Sequence, residues 1–199
     1  MSIWVSSDYH FGEDRLTIMG RPFSSTEKME EEIISKHNSL VSKKDTIIIA
    51  GDICYKNTPE KISLLKKLNG RKVLIRGNHD EVFSVSDLNH FFDSIIPDGD
   101  GMEITAGGIP CYITHYPTRG RKDRFNIVGH CHAAWKYQLN MFNIGVDANH
   151  FFPVNLETIP SHLKAITEFY DEDVWVAYKD INANYRDSRG KKSTYFKGE

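Results

Sequence analysis

The segment Lys72–Asp80 reads KVLIRGNHD, a short apolar run that ends abruptly in Gly, Asn, His and Asp. Aliphatic residues bounded by a Gly-Asn turn signal predict a strand over Lys72–Ile75. The residues after it are more than turn punctuation. A carboxamide, an imidazole and a carboxylate arrive together, and each can bind a metal or handle a proton. The same handoff recurs along the chain. Ile3–Val5 leads into SSDYH, Thr46–Ala50 into GD, Cys111–Thr114 into HYP, Asn126–Val128 into GHCH, and Phe142–Ile144 into GVD. Six predicted strands thus carry polar, titratable residues at their C-terminal ends, the edge at which open α/β sheets bind ligands.

Helical signals lie between the first three strands. Ser24 with Glu27 three residues on is a capping-box pattern, and Met29, Ile33, Ile34, His37, Leu40 and Val41 then recur near the helical period. Thr58-Pro59 opens a second helix in the preferred cap arrangement. Ile62, Leu65 and Leu68 form its inner face, and Gly70 closes it. The result is β-α-β-α-β, the start of a mixed α/β domain. Residues 84–95 are expected to form a third helix. GMEIT-AGG-IPCYIT predicts a hairpin with a glycine turn, so the second half changes to antiparallel pairing. Beyond Pro153, a helix over Leu163–Tyr170 and a strand over Val174–Tyr178 are expected. Residues 1–180 are read as one domain and 181–199 as a polar tail.

The bulk properties exclude several classes. A chain of 199 residues, 40% hydrophobic and 26% charged, can bury a sizeable core in one domain. A formal charge of −2 gives no general attraction to nucleic acid or an anionic membrane. No apolar run is long enough to span a bilayer, and Asp8, His10, Glu13 and Asp14 interrupt any signal-like stretch. Cys54, Cys111 and Cys131 are an odd set without a disulfide spacing. They are read as small hydrophobes in a reducing cytoplasm.

The strand ends collect Asp8, His10, Asp52, Asn78, His79, Asp80, His115, His130 and His132, including five of the nine histidines. Carboxylate, carboxamide and imidazole donors together suit Mn, Fe, Zn or Ni better than Ca or a thiolate-seeking metal. They exceed the needs of one ion, which points to two ions sharing a carboxylate, able to hold a phosphate and activate a bridging water. Each motif alone is weak. D-x-H can be a cap, G-D is ordinary turn chemistry, and a lone His115 reads as a half-buried histidine. The H-x-H pair, on extended backbone, would project both rings to one side, roughly 6.5–7 Å apart at about 3.3 Å per residue. By itself the pair could grip one ion, two ions or none. The weight lies in the ordered set.

That set, SDYH, GD, GNHD, TH and GHCH, resembles the calcineurin-like metallophosphoesterases, whose signature is D-x-H, G-D, G-N-H-[DE], H and G-H-x-H. It is most similar to their small single-domain bacterial and phage branch, and DYHFG, GRPF, LNGRKVLIRGNHD, THYP and NIGVDANHFFPVNLETI extend the likeness over residues 1–160. The resemblance implies an α/β/β/α four-layer sandwich, two mixed sheets flanked by helices. It implies two divalent ions, Mn2+ foremost with Fe, Zn or Ni as alternatives. Asp8, His10 and His132 would hold one ion and Asn78, His115 and His130 the other, with Asp52 bridging. His79 would act on the substrate, with Asp80 orienting its imidazole. The implied activity is hydrolysis of a small phosphate ester, a diester before a monoester, with a nucleotide among the candidates. A nuclease or a non-catalytic scaffold on the same fold are the competing readings. The short, slightly acidic chain argues against nucleic acid.

Three places stand apart from the pattern. Relatives continue the first motif as H-F-G-H, whereas this chain has HFGE, with Glu13 at that position; altered substrate contacts are expected there. RGRKDR at 119–124 is read first as a solvated loop and second as a phosphate contact through Arg119 or Arg121. Asp147 and His150 are read as structural caps, and Cys131 as packing that points away from its flanking histidines.

Overall fold

The strand-forming runs fold into two mixed sheets. The computed structural model describes residues 1–138 and 140–166. The first sheet contains β1 (Ile3–Ser6), β2 (Thr46–Ile49), β3 (Arg71–Ile75), β4 (Ser94–Ile96) and β10 (Val154–Asn155), in the order β10-β1-β2-β3-β4. Strands β1 to β4 run parallel and β10 closes the edge antiparallel. The second sheet contains β5 (Gly101–Ala106), β6 (Ile109–Thr114), β7 (Phe125–Val128), β8 (Tyr137–Gln138) and β9 (Met141–Asn143). Its order is β5-β6-β7-β9-β8, parallel through β6, β7 and β9 with antiparallel edges. The hairpin expected over 101–114 forms as β5 and β6, turning through Gly107 and Gly108, both at positive φ.

Alternation along β2 assigns its faces. Ile47 and Ile49 join a cluster with Leu74 of β3, with Met29, Ile33 and Leu65 from the inner faces of the helices that cross over this sheet, and with Leu68 just after the second of them. Ile48, in register with Val5, is equally buried on the opposite face. Each such aliphatic side chain contributes roughly 1.5–3 kcal/mol on burial. The crossovers are α1 (Thr26–Leu40), a 3-10 helix over Pro59–Lys67, and α2 (Val85–Leu88).

The crossovers differ from expectation in detail. Ser25, not Ser24, caps α1, accepting from Lys28 N at 3.3 Å, so Glu27 falls short of the capping-box position. Leu40 is 43% exposed on the last turn. Thr58 starts the second crossover but does not cap it. Its hydroxyl donates instead to the carbonyls of Phe11 and Tyr55. The single helix expected over 84–95 is replaced by the short α2 and by β4, because residues 94–96 pair with Val73–Ile75. Sheet pairing there outweighs a weak helical pattern. A short helix, α3 (Ile159–Lys164), begins four residues before the helix expected over 163–170. Residues 167–170 of that helix, the strand over 174–178, the tail and the boundary at 180 lie outside the described residues. Among the described residues no helix is long and apolar enough to cross a membrane.

Candidate metal centre

Parallel pairing fixes the site. In register, Ser6, Ile49 and Leu74 lie side by side at the end of the first sheet, as do Thr114, Val128 and Asn143 in the second. Every chemistry-bearing loop therefore leaves at a C-terminal edge. Backbone bonds stitch the loops together: Asp8 N donates to Gly51 O (3.1 Å), His10 N to Asp52 O (3.0 Å) and Gly129 N to His115 O (3.1 Å). A parallel bridge between Ser7 and Gly145 ties β1 to the end of β9.

The loops achieve this with unusual backbone. Asp8, His10, Asp52, His130 and His132 all have positive φ, between 46° and 71°. Each such residue costs of order 1–3 kcal/mol, and strain of this kind concentrates at functional sites. This corrects the sequence reading of H-x-H. Strand β7 ends at Val128, and the two histidines lie on left-handed turns rather than extended backbone, so strand spacing does not separate them. D-x-H and H-x-H share this left-handed first and third position. Tyr9, between Asp8 and His10, is 1% exposed in the core.

The side chains converge into three overlapping groups whose donor atoms lie within 4.8 Å of one another: Asp8, His10 and His132; His10, Asp52 and His79; and Asp52, His115 and His130. Asp52 belongs to two of them. Its Oδ2 lies 3.3 Å from His10 Nε2 and 3.5 Å from His115 Nε2. Asn78 Oδ1 and His130 Nδ1 each lie 3.2 Å from His115 Nε2. Asp8, His10, Asp52 and His115 are buried, whereas His130 is exposed, so the group opens to solvent on one side. The two H-x-H histidines fall in different groups.

Three features fit this donor set to cations. Ala50 O, only an acceptor, lies 2.7 Å from His115 Nδ1. A neutral His115 therefore carries its proton there and turns an unprotonated Nε2 toward Asn78 Oδ1 and Asp52 Oδ2, a meeting of lone pairs that a metal reconciles. Both ring nitrogens of His10 are buried without a hydrogen-bond partner, a state rare among buried polar groups. Close backbone approach is also built in. A Cβ on Gly77 would sit 2.4 Å from Asp52 Oδ1 and 2.8 Å from His115 Cε1.

Electrostatics agree. Burial works against ionisation of Asp52, but His10 and His115 outweigh it and hold its pKa well below the carboxylate range. Burial, then proximity to His115, lowers the pKa of His130. Burial also lowers that of His79, against the pull of Asp52.

Asp80, expected to orient the His79 imidazole, is bonded to backbone instead. Its Oδ2 accepts from Asp52 N and Gly77 N, both at 2.9 Å, and its Oδ1 from Ile53 N at 3.0 Å. His79 Nδ1 has no hydrogen-bond partner. Three backbone donors occupy the carboxylate, so Asp80 holds the β2 and β3 loops together and makes no hydrogen bond to the imidazole. His79 is instead placed by its own N–H, which donates to Asp52 Oδ1 at 2.9 Å, and by the His10 ring at 4.6 Å.

Asp147, read as a cap, accepts from His132 Nδ1 at 2.7 Å. Arg21 grips the same carboxylate through Nε (2.8 Å) and NH2 (3.0 Å), and also donates to the carbonyls of Asp8 and Tyr9. Burial opposes the charge on Asp147, but His132 and Arg21 lower its pKa all the same. This pair orients His132 from behind, as carboxylates do for metal-bound histidines. The signals for it were the Arg of GRPF and the Asp of GVD. Arg121 is turned away, paired with Glu103 and laid over the Tyr112 ring at 4.3 Å. Arg119 is exposed and makes no side-chain hydrogen bond or ion pair among the described residues. Cys54 and Cys111 are buried as expected, Cys131 only partly, and none joins the clusters.

A family model described as calcineurin-like phosphoesterase matches residues 1–177. The uncharacterized protein MJ1445 of Methanocaldococcus jannaschii is 32% identical over 170 residues, 79% of this chain and 88% of that protein. The gene 66 protein of Mycobacterium phage L5 is 36% identical over 80 residues, 39% of each chain. The solved structure of protein AQ665 of Aquifex aeolicus, of unknown function, shares the fold. Its TM-score is 0.64 at 23% identity, over 81% of this chain and 98% of that one.

Proposed function

We propose, because this chain belongs to the calcineurin-like phosphoesterase family and is a hydrolase of phosphate esters, that it cleaves a phosphodiester at a two-metal centre. Asp8, His10 and His132 hold one divalent ion, Asn78, His115 and His130 the other, and Asp52 is shared. The observation that carries this reading is the position of Asp52 Oδ2 between His10 Nε2 and His115 Nε2. Oxygen and imidazole donors favour Mn2+, with Fe, Zn or Ni as alternatives. Bound, the ions supply charge neutralisation and an activated water.

The chain's own residues supply the rest. His115 and His132 are fixed in tautomer by Ala50 O and Asp147, so each turns Nε2 inward. His79 is half-buried with Nδ1 enclosed, which leaves Nε2 to meet the leaving oxygen. Among the described residues no Lys or Arg pairs with the carboxylates of Asp8 or Asp52. A diester monoanion therefore suits the centre better than a monoester dianion, whose extra charge would need a further cation. A nucleotide is a fitting substrate, and the reducing cytoplasm the fitting compartment.

Hydrolysis of bis-p-nitrophenyl phosphate with Mn2+, compared with p-nitrophenyl phosphate, tests the reading. Turnover of the diester should exceed that of the monoester, and Asp52→Asn should abolish it. Undiminished turnover in Asp52→Asn, or none with any divalent ion, would refute the two-metal reading.

A further inference from the structure

We propose that Arg15, held over Tyr55, forms an anion subsite beside His79 that selects substrates bearing a second phosphate beyond the scissile diester; this rests on the phosphodiesterase reading above. The subsite occupies the place where HFGE departs from H-F-G-H. Glu13, with a side chain 0% exposed, takes three donors from Arg15. The backbone N (2.8 Å) and Nε (2.9 Å) bond to Oε1, and NH2 (2.8 Å) bonds to Oε2. The loop beneath is fixed by Glu13 N to His10 O (3.0 Å) and by the Thr26 hydroxyl to Glu13 O (3.0 Å).

A buried carboxylate therefore clamps a guanidinium that is itself 44% exposed. Surface arginines seldom have their rotamer freedom removed so completely, and a phosphate contact benefits because that ordering is already done. The clamp consumes the Nε edge. Among the described residues NH1 has no hydrogen-bond or ion-pair partner, which leaves a fork of donors facing outward.

Position ties the fork to the reaction site. The Arg15 Cζ lies 4.6 Å from the Tyr55 ring centroid, and the Tyr55 ring lies 5.7 Å from that of His79. The guanidinium and the proposed catalytic histidine thus both neighbour the Tyr55 ring. Lys56, exposed and next to Tyr55 in sequence, adds a second cation there. Glu13 and the exposed Asp14 offset the charges of Arg15 and Lys56, so directed NH1 donors rather than net charge supply the phosphate contact. Since the guanidinium already covers the Tyr55 ring, the arrangement favours a phosphate over a stacked base.

A nitrophenyl ester of a nucleoside 5′-phosphate, with and without a phosphate on its 3′-hydroxyl, tests the subsite. Wild type should prefer the bisphosphate form in kcat/KM, chiefly through KM. Arg15→Ala should reduce that preference ratio about ten- to hundredfold, the scale of hydrogen bonds to a charged group, and Arg15→Lys should restore part of it. Glu13→Gln, which loosens the clamp but keeps the cation, should reduce it less. Should Arg15→Ala fail to fold, Arg15→Gln carries the same expectation. Calorimetric binding of a nucleoside 3′,5′-bisphosphate against the 5′-monophosphate gives the same comparison without turnover. An unchanged preference ratio in Arg15→Ala, or equal binding of the two nucleotides, overturns the subsite. Failure of wild type to hydrolyse either ester, with the binding preference intact, overturns the phosphodiesterase reading instead.

Discussion

Asp147→Ala separates two consequences of one contact. The carboxylate holds Arg21 by two hydrogen bonds and His132 by one. The Arg21 side chain is 0% exposed, so removing Asp147 strands a buried guanidinium. Breaking one partner of a buried pair costs roughly 3–5 kcal/mol. Arg21 would keep the carbonyls of Asp8 and Tyr9, so about 3 kcal/mol is expected in urea denaturation of metal-free protein. The second consequence concerns His132. Without its acceptor the ring is free to turn and change tautomer, and loss of such a partner lowers metal affinity roughly 10- to 100-fold. Only the ion of Asp8, His10 and His132 should feel this. Calorimetric titration with Mn2+ should therefore show one weakened site and one unaltered. Arg21→Met with Asp147→Ala removes the stranded charge and should be more stable than Asp147→Ala alone, while the metal defect persists. A stability loss under about 1 kcal/mol, or equal weakening at both sites, would refute the reasoning.

Gly77→Ala is a steric test. With φ −109° the backbone accommodates alanine, but the new Cβ would meet Asp52 Oδ1 at 2.4 Å and His115 Cε1 at 2.8 Å. The protein should stay folded by circular dichroism yet lose metal affinity at least tenfold, in the range of about 10–100-fold for displaced supporting groups. Gly108→Ala meets nothing within 4 Å but is held at φ +84°. It should cost about 1–2 kcal/mol of stability and leave metal binding alone. His37, by contrast, governs a pH dependence. Burial pushes its pKa down to about 4, with its ring bonded to Tyr9 OH and Asn69 O. The unfolded chain binds the proton near pH 6.5, so between about 6.5 and 4 the unfolded state holds more protons. Stability from this group is complete above that window and lost as pH falls through it, by about 3 kcal/mol in all. Denaturation midpoints of wild type and His37→Gln should converge from pH 7 to pH 4; parallel curves would show that His37 does not titrate in this way.

Most of the fold and the donor set could be read in the sequence, because both depend on local order. Strand runs end where apolar residues give way to Gly, Asn and Asp, so the six strands expected to carry titratable ends all appear, with ends shifted by a residue or two at most. The hydropathy of 94–96 was ambiguous, and only pairing with β3 made it a strand. Parallel register put Asp8, Asp52 and Asn78 beyond one edge of the first sheet and His115 and His130 beyond one edge of the second.

What tertiary structure alone decided is partnership. Asp80 follows His79 in sequence, yet its oxygens serve the backbone of Asp52, Ile53 and Gly77, since unpaired amides at a buried loop junction demand an acceptor. Asp147 and Arg21 are 126 residues apart and meet behind His132. The left-handed backbone of His130 and His132 lies beyond the end of β7, where the alternation of the strand no longer predicts side-chain direction. Sequence fixes which donors are available at the strand ends. Long-range packing fixes which of them face one another, because side-chain direction in a loop depends on backbone that the rest of the fold holds in place.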